Sequence, residues 1–325
     1  MNKLHSEQRG VALIIVVFVM ALVALIAAGI GKQQNLFVKK SINQFTQLQG
    51  TELTISAEAF ARQVLYKDWE DDKKDNKFID HMTEFWAEYA ASFPMELGLI
   101  EVQVDDLQGR FNLNSLVDSK GKADAEQVKR LKRLLDSLGI VSVSVEKLVD
   151  WVDADVESYE YKGAEDEAYL IYDTPYRTAN GLVGHVSELM LIEGMTAEDY
   201  VLLAPHISVL PPNAKAVNVN TCSKEVLMSL HENITAESAE TIIEKRLENP
   251  FATIEDLYQL PEMAAIKLKN VSVNTKYFAV SIRVTIQDRI TRLVSNLYRA
   301  DDGKLRVISR DFGQKNIITK KQVLL

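Results

Sequence analysis

Residues 9–30 read RGVALIIVVFVMALVALIAAGI, and this stretch decides the architecture of the whole chain. The uncharged run 11–30 is twenty residues long. At about 1.5 Å of rise per residue, that length matches a bilayer core of ~30 Å. Lys3 and Arg9 lie on its N-terminal side, so the positive-inside rule keeps the short leader in the cytoplasm and sends the rest across. The segment 11–31 is therefore predicted to span a membrane.

This segment allows three interpretations: a secretory signal, a permanent single-pass anchor, or a leader that is cut ahead of the apolar run. A secretory signal has an apolar region of about 7 to 15 residues, and this run is longer. No proline occurs before Pro94, and apolar residues keep a near-helical spacing at Val38, Ile42, Phe45, Leu48, Phe60 and Val64. One helix is predicted to run from the membrane into a soluble domain.

The composition fits a folded protein with protein or cation partners. Its 325 residues exceed the usual domain size of ~100 to 200 residues, which favours two compact units plus an attachment segment. A formal net charge of -9 disfavours binding to phosphate backbones and anionic lipids. Cys222 is the single cysteine, so the chain cannot form an intramolecular disulfide.

The soluble part has strand patterns near both ends and a helical pattern between them. Residues 100–104 alternate apolar and polar side chains, and three further strands are predicted at 277–286, 290–298 and 304–309. An amphipathic stripe stops at Gly139 and comprises Val128, Leu131, Leu134, Leu135 and Leu138. These patterns predict an α+β fold, in which one long helix packs on an antiparallel sheet interrupted by a large, mostly helical inserted domain.

The start of the chain resembles a type IV prepilin leader, because Arg9 and Gly10 precede Val11 and a run of apolar residues. The resemblance implies that prepilin peptidase cuts between Gly10 and Val11 and leaves the apolar run as the anchor. Most pilins have glutamate at the fifth mature position, where this chain has Ile15. An ionised carboxylate in hydrocarbon costs on the order of 3 kcal/mol or more. Its absence removes that cost and also the need for a charged partner on a neighbouring subunit.

Five longer strings resemble the K family of type II secretion minor pseudopilins and occur in the family's order. They are DLQGRFNLN at 106–114, DWVDAD at 150–155, GAED at 163–166, PYR at 175–177 and VNVNT at 217–221. The resemblance implies a pilin-like fold with four parts: a leader at 1–10, a membrane segment at 11–31, a pilin-like α/β domain formed by 32–121 and 271–325, and an inserted helical domain at 122–270.

The family resemblance also implies a function without catalysis. It implies a subunit at the tip of a periplasmic pseudopilus that helps start assembly with the I- and J-type minor pseudopilins and supports protein export. Prepilin peptidase and the inner-membrane secretion platform would be further partners. The chain would be a single-pass inner-membrane protein with a large C-terminal periplasmic region. The sequence contains no zinc-hydrolase, serine-hydrolase or phosphate-loop motif.

The segment 150–180 is strongly acidic, since nine carboxylates between Asp150 and Asp173 face one cation, Lys162. Oxygen ligands without nearby histidine or cysteine suit calcium better than magnesium. The string is not an EF-hand, because counting from Asp153 puts Ser158 where glycine is required. A solvated acidic loop and paired catalytic carboxylates are the alternatives.

The K family favours calcium, because its members are known to bind this ion. The resemblance implies that Asp153, Asp155, Glu165 and Asp166 are the calcium ligands, and Asp173 is a weaker candidate. Ser158 departs from the family pattern and leaves the path of the loop open.

The segment 213–270 resembles a helix-hairpin-helix module, which makes a membrane-anchored DNA-uptake receptor the main alternative function. Such modules hold phosphate with a glycine-containing hairpin at a helix N-terminus. The corresponding hairpin, 232–235, has no glycine, and the segment holds nine acidic and six basic residues. Nucleic-acid binding is therefore disfavoured, and the small helical fold is interpreted as a site of protein contacts.

Overall fold

A computed structural model describes residues 4–96, 98–315 and 317–324, and side chains from residue 11 onward. Its first element is helix α1, Leu4–Asp75, which confirms the prediction of one helix running from the apolar segment into the soluble domain. The helix contains an 18-residue window of mean hydropathy 3.3, long and apolar enough to cross a membrane. Part of the predicted leader, 1–3, lies outside the described residues, as do the side chains of 4–10.

The C-terminal half of α1 packs on a six-stranded sheet through Ala57, Ala61 and Leu65, which are buried. The strands, in chain order, are β1 Ala90–Met95, β2 Gly98–Asp106, β7 Tyr277–Ile286, β8 Arg289–Arg299, β9 Leu305–Asp311 and β10 Gln322–Leu324. Gly50 allows a close approach of helix and sheet, since an added Cβ would lie 2.3 Å from Thr291 Oγ1. The order in the sheet is β10-β1-β2-β7-β8-β9.

The predicted antiparallel sheet is confirmed for four neighbouring pairs, and a fifth pair is parallel. β10 pairs with β1 in parallel, with Ala90 opposite Gln322. A parallel pair needs a long connection, and this requirement is met because β1 and β10 stand near opposite ends of the soluble region, with β2 to β9 between them. Pro94 lies within β1, and proline demotes a strand prediction, so the sequence pattern did not indicate this strand.

Between β2 and β7 the chain builds an inserted domain around its own core. Its longer helices are α3 Ala125–Leu138, α4 Val145–Val152, α6 Ala197–Leu203, α7 Lys224–Leu230 and α8 Ala236–Glu248. Two short helices, α5 Asp166–Tyr169 and α9 Ile254–Tyr258, also belong to it, while the short α2, Phe85–Glu88, precedes β1. Short 3-10 helices are found at Leu113–Leu116, Val186–Leu191, Ala204–His206 and Pro261–Met263. Asp124 caps α3, and Gly139 ends it with φ 70°, as predicted.

The core of the inserted domain extends beyond the predicted range 122–270. It begins at Phe111 and includes Leu113 and Leu116, and Val273 packs against its far end. Two small parallel pairs cause this extension: β3, Phe111–Asn112, pairs with β4, Ile207–Ser208, and β5, Val217–Asn218, pairs with β6, Val271–Ser272. The segments 111–121 and 271–273, which flank the predicted range, therefore pack with the inserted domain and not with the sheet.

Candidate metal centre

The acidic segment follows α4, whose last turn presents Asp150 and ends at Asp153. Both carboxylate oxygens of Asp150 accept backbone hydrogen bonds, from Tyr159 N at 2.7 Å and from Ala164 N at 2.6 Å. These bonds fold the chain back on itself. Gly163 is required at the return, because a Cβ there would lie 2.2 Å from Asp150 Oδ2. Asp150 therefore shapes the loop and brings its two ends together.

Trp151 anchors the same helix to the core and does not line an open ligand site. Its side chain is buried and meets the buried ring of Tyr169 edge-on, with centroids 5.5 Å apart. This contact fixes the helix from which the acidic loop departs.

The loop closure places the carboxylates of Asp153, Asp155 and Glu165 together, with one oxygen of each within 4.8 Å of the others. Asp153 is 4% exposed and Glu165 is 9% exposed, whereas Asp155 faces solvent. Asp153 Oδ1 and Glu165 Oε1 are buried and accept no hydrogen bond from the described residues. Buried acceptors without donors are costly unless a cation or proton occupies the space between them.

The electrostatics of the group reflect this crowding. Burial, followed by repulsion from Asp155, Asp150 and Glu165, raises the pKa of Asp153 to about 7. Burial also raises the pKa of Glu165, and together with repulsion from neighbouring carboxylates it outweighs the hydrogen bond from Thr178 Oγ1. The arrangement resists being fully ionised, which a divalent cation would relieve.

Asn180 is a residue that the count of carboxylates missed. Its Nδ2 donates to the backbone carbonyl of Asp155 at 2.8 Å, and its Oδ1 is buried without a hydrogen-bond donor among the described residues. Its backbone has a positive φ of 40°, a conformation that asparagine tolerates better than most residues. It is a further oxygen donor beside the group.

The two remaining predicted ligands, Asp166 and Asp173, do not join this group. Asp166 accepts from Thr178 N at 3.1 Å and Thr178 Oγ1 at 3.0 Å, and it pairs with Arg177. Asp173 is exposed. Asp166 thus holds the segment at Arg177 and Thr178. The converging group consists of Asp153, Asp155 and Glu165.

Several cations of the helix-hairpin-helix segment are paired within the protein. Lys224 pairs with Glu240, and Lys215 pairs with Asp124. Arg246 is buried and donates to the carbonyls of Val219 and Cys222, both at 2.6 Å. Cations engaged in this way stabilise the fold, and nine acidic residues against six basic ones leave the segment net negative, which disfavours a phosphate backbone.

Comparisons with known proteins agree with this architecture. Two family models described as type II secretion system (T2SS), protein K match residues 109–212 and 217–281. A type II secretion system protein K of Pseudomonas aeruginosa is 38% identical, and the match covers 96% of this chain and 95% of the relative. One of Pectobacterium carotovorum is 28% identical, covering 95% of this chain and 98% of the relative.

A solved structure has the same fold. It is the crystal structure of the GspK-GspI-GspJ complex from the enterotoxigenic Escherichia coli type 2 secretion system. The match has a TM-score of 0.74 at 23% identity and covers 85% of this chain and all of that one. The long helix, the sheet and the inserted domain are thus a known combination, and this chain belongs to the type II secretion system protein K family.

Proposed function

We propose that the chain is the minor pseudopilin at the tip of a periplasmic pseudopilus, where it initiates assembly and supports protein export. In this proposal 11–31 anchors it in the inner membrane and the remainder lies in the periplasm. The observation that carries the proposal is the inserted domain, whose core spans Phe111 to Ile266 beside the pilin-like sheet. A second domain of this size would obstruct another subunit from stacking above it in a narrow fibre. The role is structural and not catalytic.

The I- and J-type minor pseudopilins are the proposed partners in the tip complex, since the solved relative was crystallised with GspI and GspJ. Physical support comes from α1 between the membrane segment and the sheet. Its large apolar side chains there are more than half exposed, at Leu36, Phe37, Val38, Ile42, Phe45 and Leu48. A contiguous apolar surface of this kind marks an interaction site, and neighbouring pilin-type helices would cover it. The inner-membrane platform would act on the assembled complex.

Capture of the full chain in detergent by the I- and J-type subunits tests this proposal. We expect Phe37→Asp with Phe45→Asp to abolish capture, and Gln34→Asp, on the same exposed stretch, to leave it unchanged. Retention of the complex by the double variant would contradict the proposed interface. DNA binding by the full chain at neutral pH and moderate salt would instead favour the DNA-uptake alternative.

The leader cleavage is a separate part of the proposal. Prepilin peptidase would cut after Gly10, so the mature chain would begin at Val11. We expect Gly10→Val to block processing, because the peptidase should accept only a small side chain beside the scissile bond. Gly29→Val is the matched control, since an added Cβ there meets nothing within 4 Å. A mature chain that starts near Gly29, by mass spectrometry, would contradict the leader assignment.

Calcium is the proposed ligand of Asp153, Asp155 and Glu165. The unsatisfied buried oxygens of Asp153 and Glu165 support this fit, and a hard cation of flexible coordination suits an all-oxygen donor set. Bound calcium would neutralise the carboxylates and hold the acidic loop. Within the chain, Asp150 positions the loop and Asn180 supplies a neighbouring amide oxygen.

A further inference from the structure

A second group of converging carboxylates lies where α1 meets the inserted domain. Asp68 is on the last turns of α1, and Asp80 and Glu84 follow in the segment 76–84. One oxygen of each lies within 4.8 Å of the others. Asp80 is 0% exposed, and the side chains of Asp68 and Glu84 are 19% and 13% exposed. The group is thus more enclosed than the acidic loop.

The positive charge beside this group does not balance it. Arg299 pairs with Asp80, donates to Asp68 Oδ2 at 3.4 Å, and has a further bond to Thr275 O. Asp72 is a fourth carboxylate nearby and raises the pKa of Asp68 by repulsion, so Asp68, Asp72 and Asp80 share this guanidinium and Glu84 has no part in it. His81 Nε2 lies 3.3 Å from Glu84 Oε1, but burial lowers the pKa of His81 and favours its neutral form.

Two of the oxygens are without a hydrogen bond in the part of the chain that the structure describes, although the indole of Trp86 is near Glu84 and partly offsets the rise in the pKa of Glu84. Asp80 Oδ1 and Glu84 Oε2 are buried and accept no hydrogen bond from the described residues. Burial, then repulsion from neighbouring acids, raises the pKa of Asp68 and of Glu84 above their usual ranges. Fixed acceptors of this sort need either protons or a cation in the space that they enclose.

We propose that Asp68, Asp80 and Glu84 form a second site for a hard divalent cation, separate from the acidic loop. All the candidate ligands are carboxylate oxygens, which suit calcium or a similar hard ion. A bound divalent ion compensates two negative charges at once. Asp80 can offer it Oδ1 while Asp80 Oδ2 stays paired with Arg299.

The position of the site gives it a structural consequence. The backbone of Asp80 donates to Val273 O at 3.0 Å and accepts from Asn218 Nδ2 at 2.9 Å, and its Oδ2 accepts from Thr275 N at 2.7 Å. Asn218 and Val273 belong to the β5–β6 region of the inserted domain. A cation bound to Asp68 and Asp80 therefore ties the end of α1 to the base of the inserted domain.

Calcium binding by the full chain in detergent tests this site. The background variant carries Asp153→Asn, Asp155→Asn and Glu165→Gln, which removes the charges of the acidic loop. We expect equilibrium dialysis to detect calcium bound to this background. Adding Glu84→Gln should weaken that binding roughly ten-fold or more, because a charged ligand is lost. Glu88→Gln, on exposed Glu88 of the neighbouring α2, should leave it unchanged.

A melting control separates loss of the site from misfolding. In chelator, Glu84→Gln should melt at or above the temperature of its background, since it removes a carboxylate from a crowded acidic group. Equal calcium binding with and without Glu84→Gln would overturn the proposal.

Discussion

The pilin-like domain and the acidic loop both bury carboxylates, but they compensate the charge differently. Glu58 of α1 is buried and accepts from Ser295 Oγ at 2.7 Å and from Arg310 Nε at 2.7 Å and Nη2 at 2.9 Å. Glu101 on β2 is likewise paired with Arg283 by two hydrogen bonds. In the loop, Arg177 pairs with Asp166, and the buried oxygens of Asp153 and Glu165 have no donor among the described residues.

The pilin-like domain thus neutralises its buried carboxylates with its own arginines, whereas the inserted domain depends on cations from solution. An arginine on a strand compensates each of these two buried glutamates, whatever ions are present. At the junction of the domains, Asp68, Asp72 and Asp80 share Arg299, and the acidic loop has still fewer cations for its carboxylates. The sheet should therefore be indifferent to calcium, and the loop should need it.

The largest effect is expected from removal of Glu58. Glu58→Ala leaves Arg310 and the buried Ser295 without their acceptor, which should cost about 3 kcal/mol, the lower end for a broken buried pair, because the Arg310 side chain is 40% exposed. Denaturant unfolding of the full chain in detergent measures the loss. Glu52→Ala, on the exposed side of the same helix, should change stability by less than about 0.5 kcal/mol. Equal effects of the two variants would contradict the proposed role of the ion pair.

A carboxylate placed in the membrane segment at position 15 would have neither an arginine nor calcium to neutralise its charge. Ile15→Glu adds such a group at a cost of roughly 3 kcal/mol at mid-bilayer, unless a neighbouring subunit supplies a partner. We expect altered pseudopilus assembly and an unchanged melting transition of the soluble domains. Assembly is read from secretion by cells carrying the variant, and unfolding from circular dichroism. Normal secretion would contradict this expectation.

Calcium should stabilise the inserted domain by about 2.7 kcal/mol when present at a hundred times its dissociation constant. Asp153→Asn with Asp155→Asn nearly keeps the shape and removes two ligand charges. We expect this variant to be at least as stable as the wild type in chelator but to lose the calcium-dependent increase. Thermal melts with and without calcium measure both. Identical melts of the wild type in calcium and chelator would show a solvated acidic loop.

The buried Glu58 of α1 should also make stability depend on pH. Burial alone raises the pKa of Glu58, but the hydrogen bonds from Arg310 and Ser295 prevail and lower it below its usual value. A carboxylate with a lowered folded-state pKa stabilises above its unfolded pKa of about 4.3, and that stability is lost as the pH falls through the folded value. The difference in unfolding free energy between wild type and Glu58→Gln should therefore shrink from about pH 5 towards pH 3. A constant difference would contradict the shift.

Sequence patterns predicted the elements that depend on local periodicity. The unbroken α1, the end of α3 at Gly139 and the strand 277–286 were all predicted correctly, the last to the residue. The parallel strand β10 was not, because its pairing with β1 depends on a distant segment. The partners Glu58 and Arg310 are 252 residues apart, so no local pattern indicates them.

The candidate metal centre was predicted in part. Composition located the acidic segment, and the family resemblance indicated Asp153, Asp155 and Glu165, which the fold brings together. Asp166 and Asp173 have similar sequence surroundings, but the return of the chain at Gly163 and Ala164 determines which side chains converge. The calcium assignment itself stays a prediction.

Hydrogen exchange with and without calcium tests the central claim most directly, because it reports on each domain within the intact chain. The account predicts that calcium slows amide exchange in residues 150–180 and leaves the paired strands β7 and β8 unchanged. Uniform exchange in both conditions, or equal slowing in the sheet and the loop, would contradict the claim that the inserted domain depends on an external cation and the sheet does not.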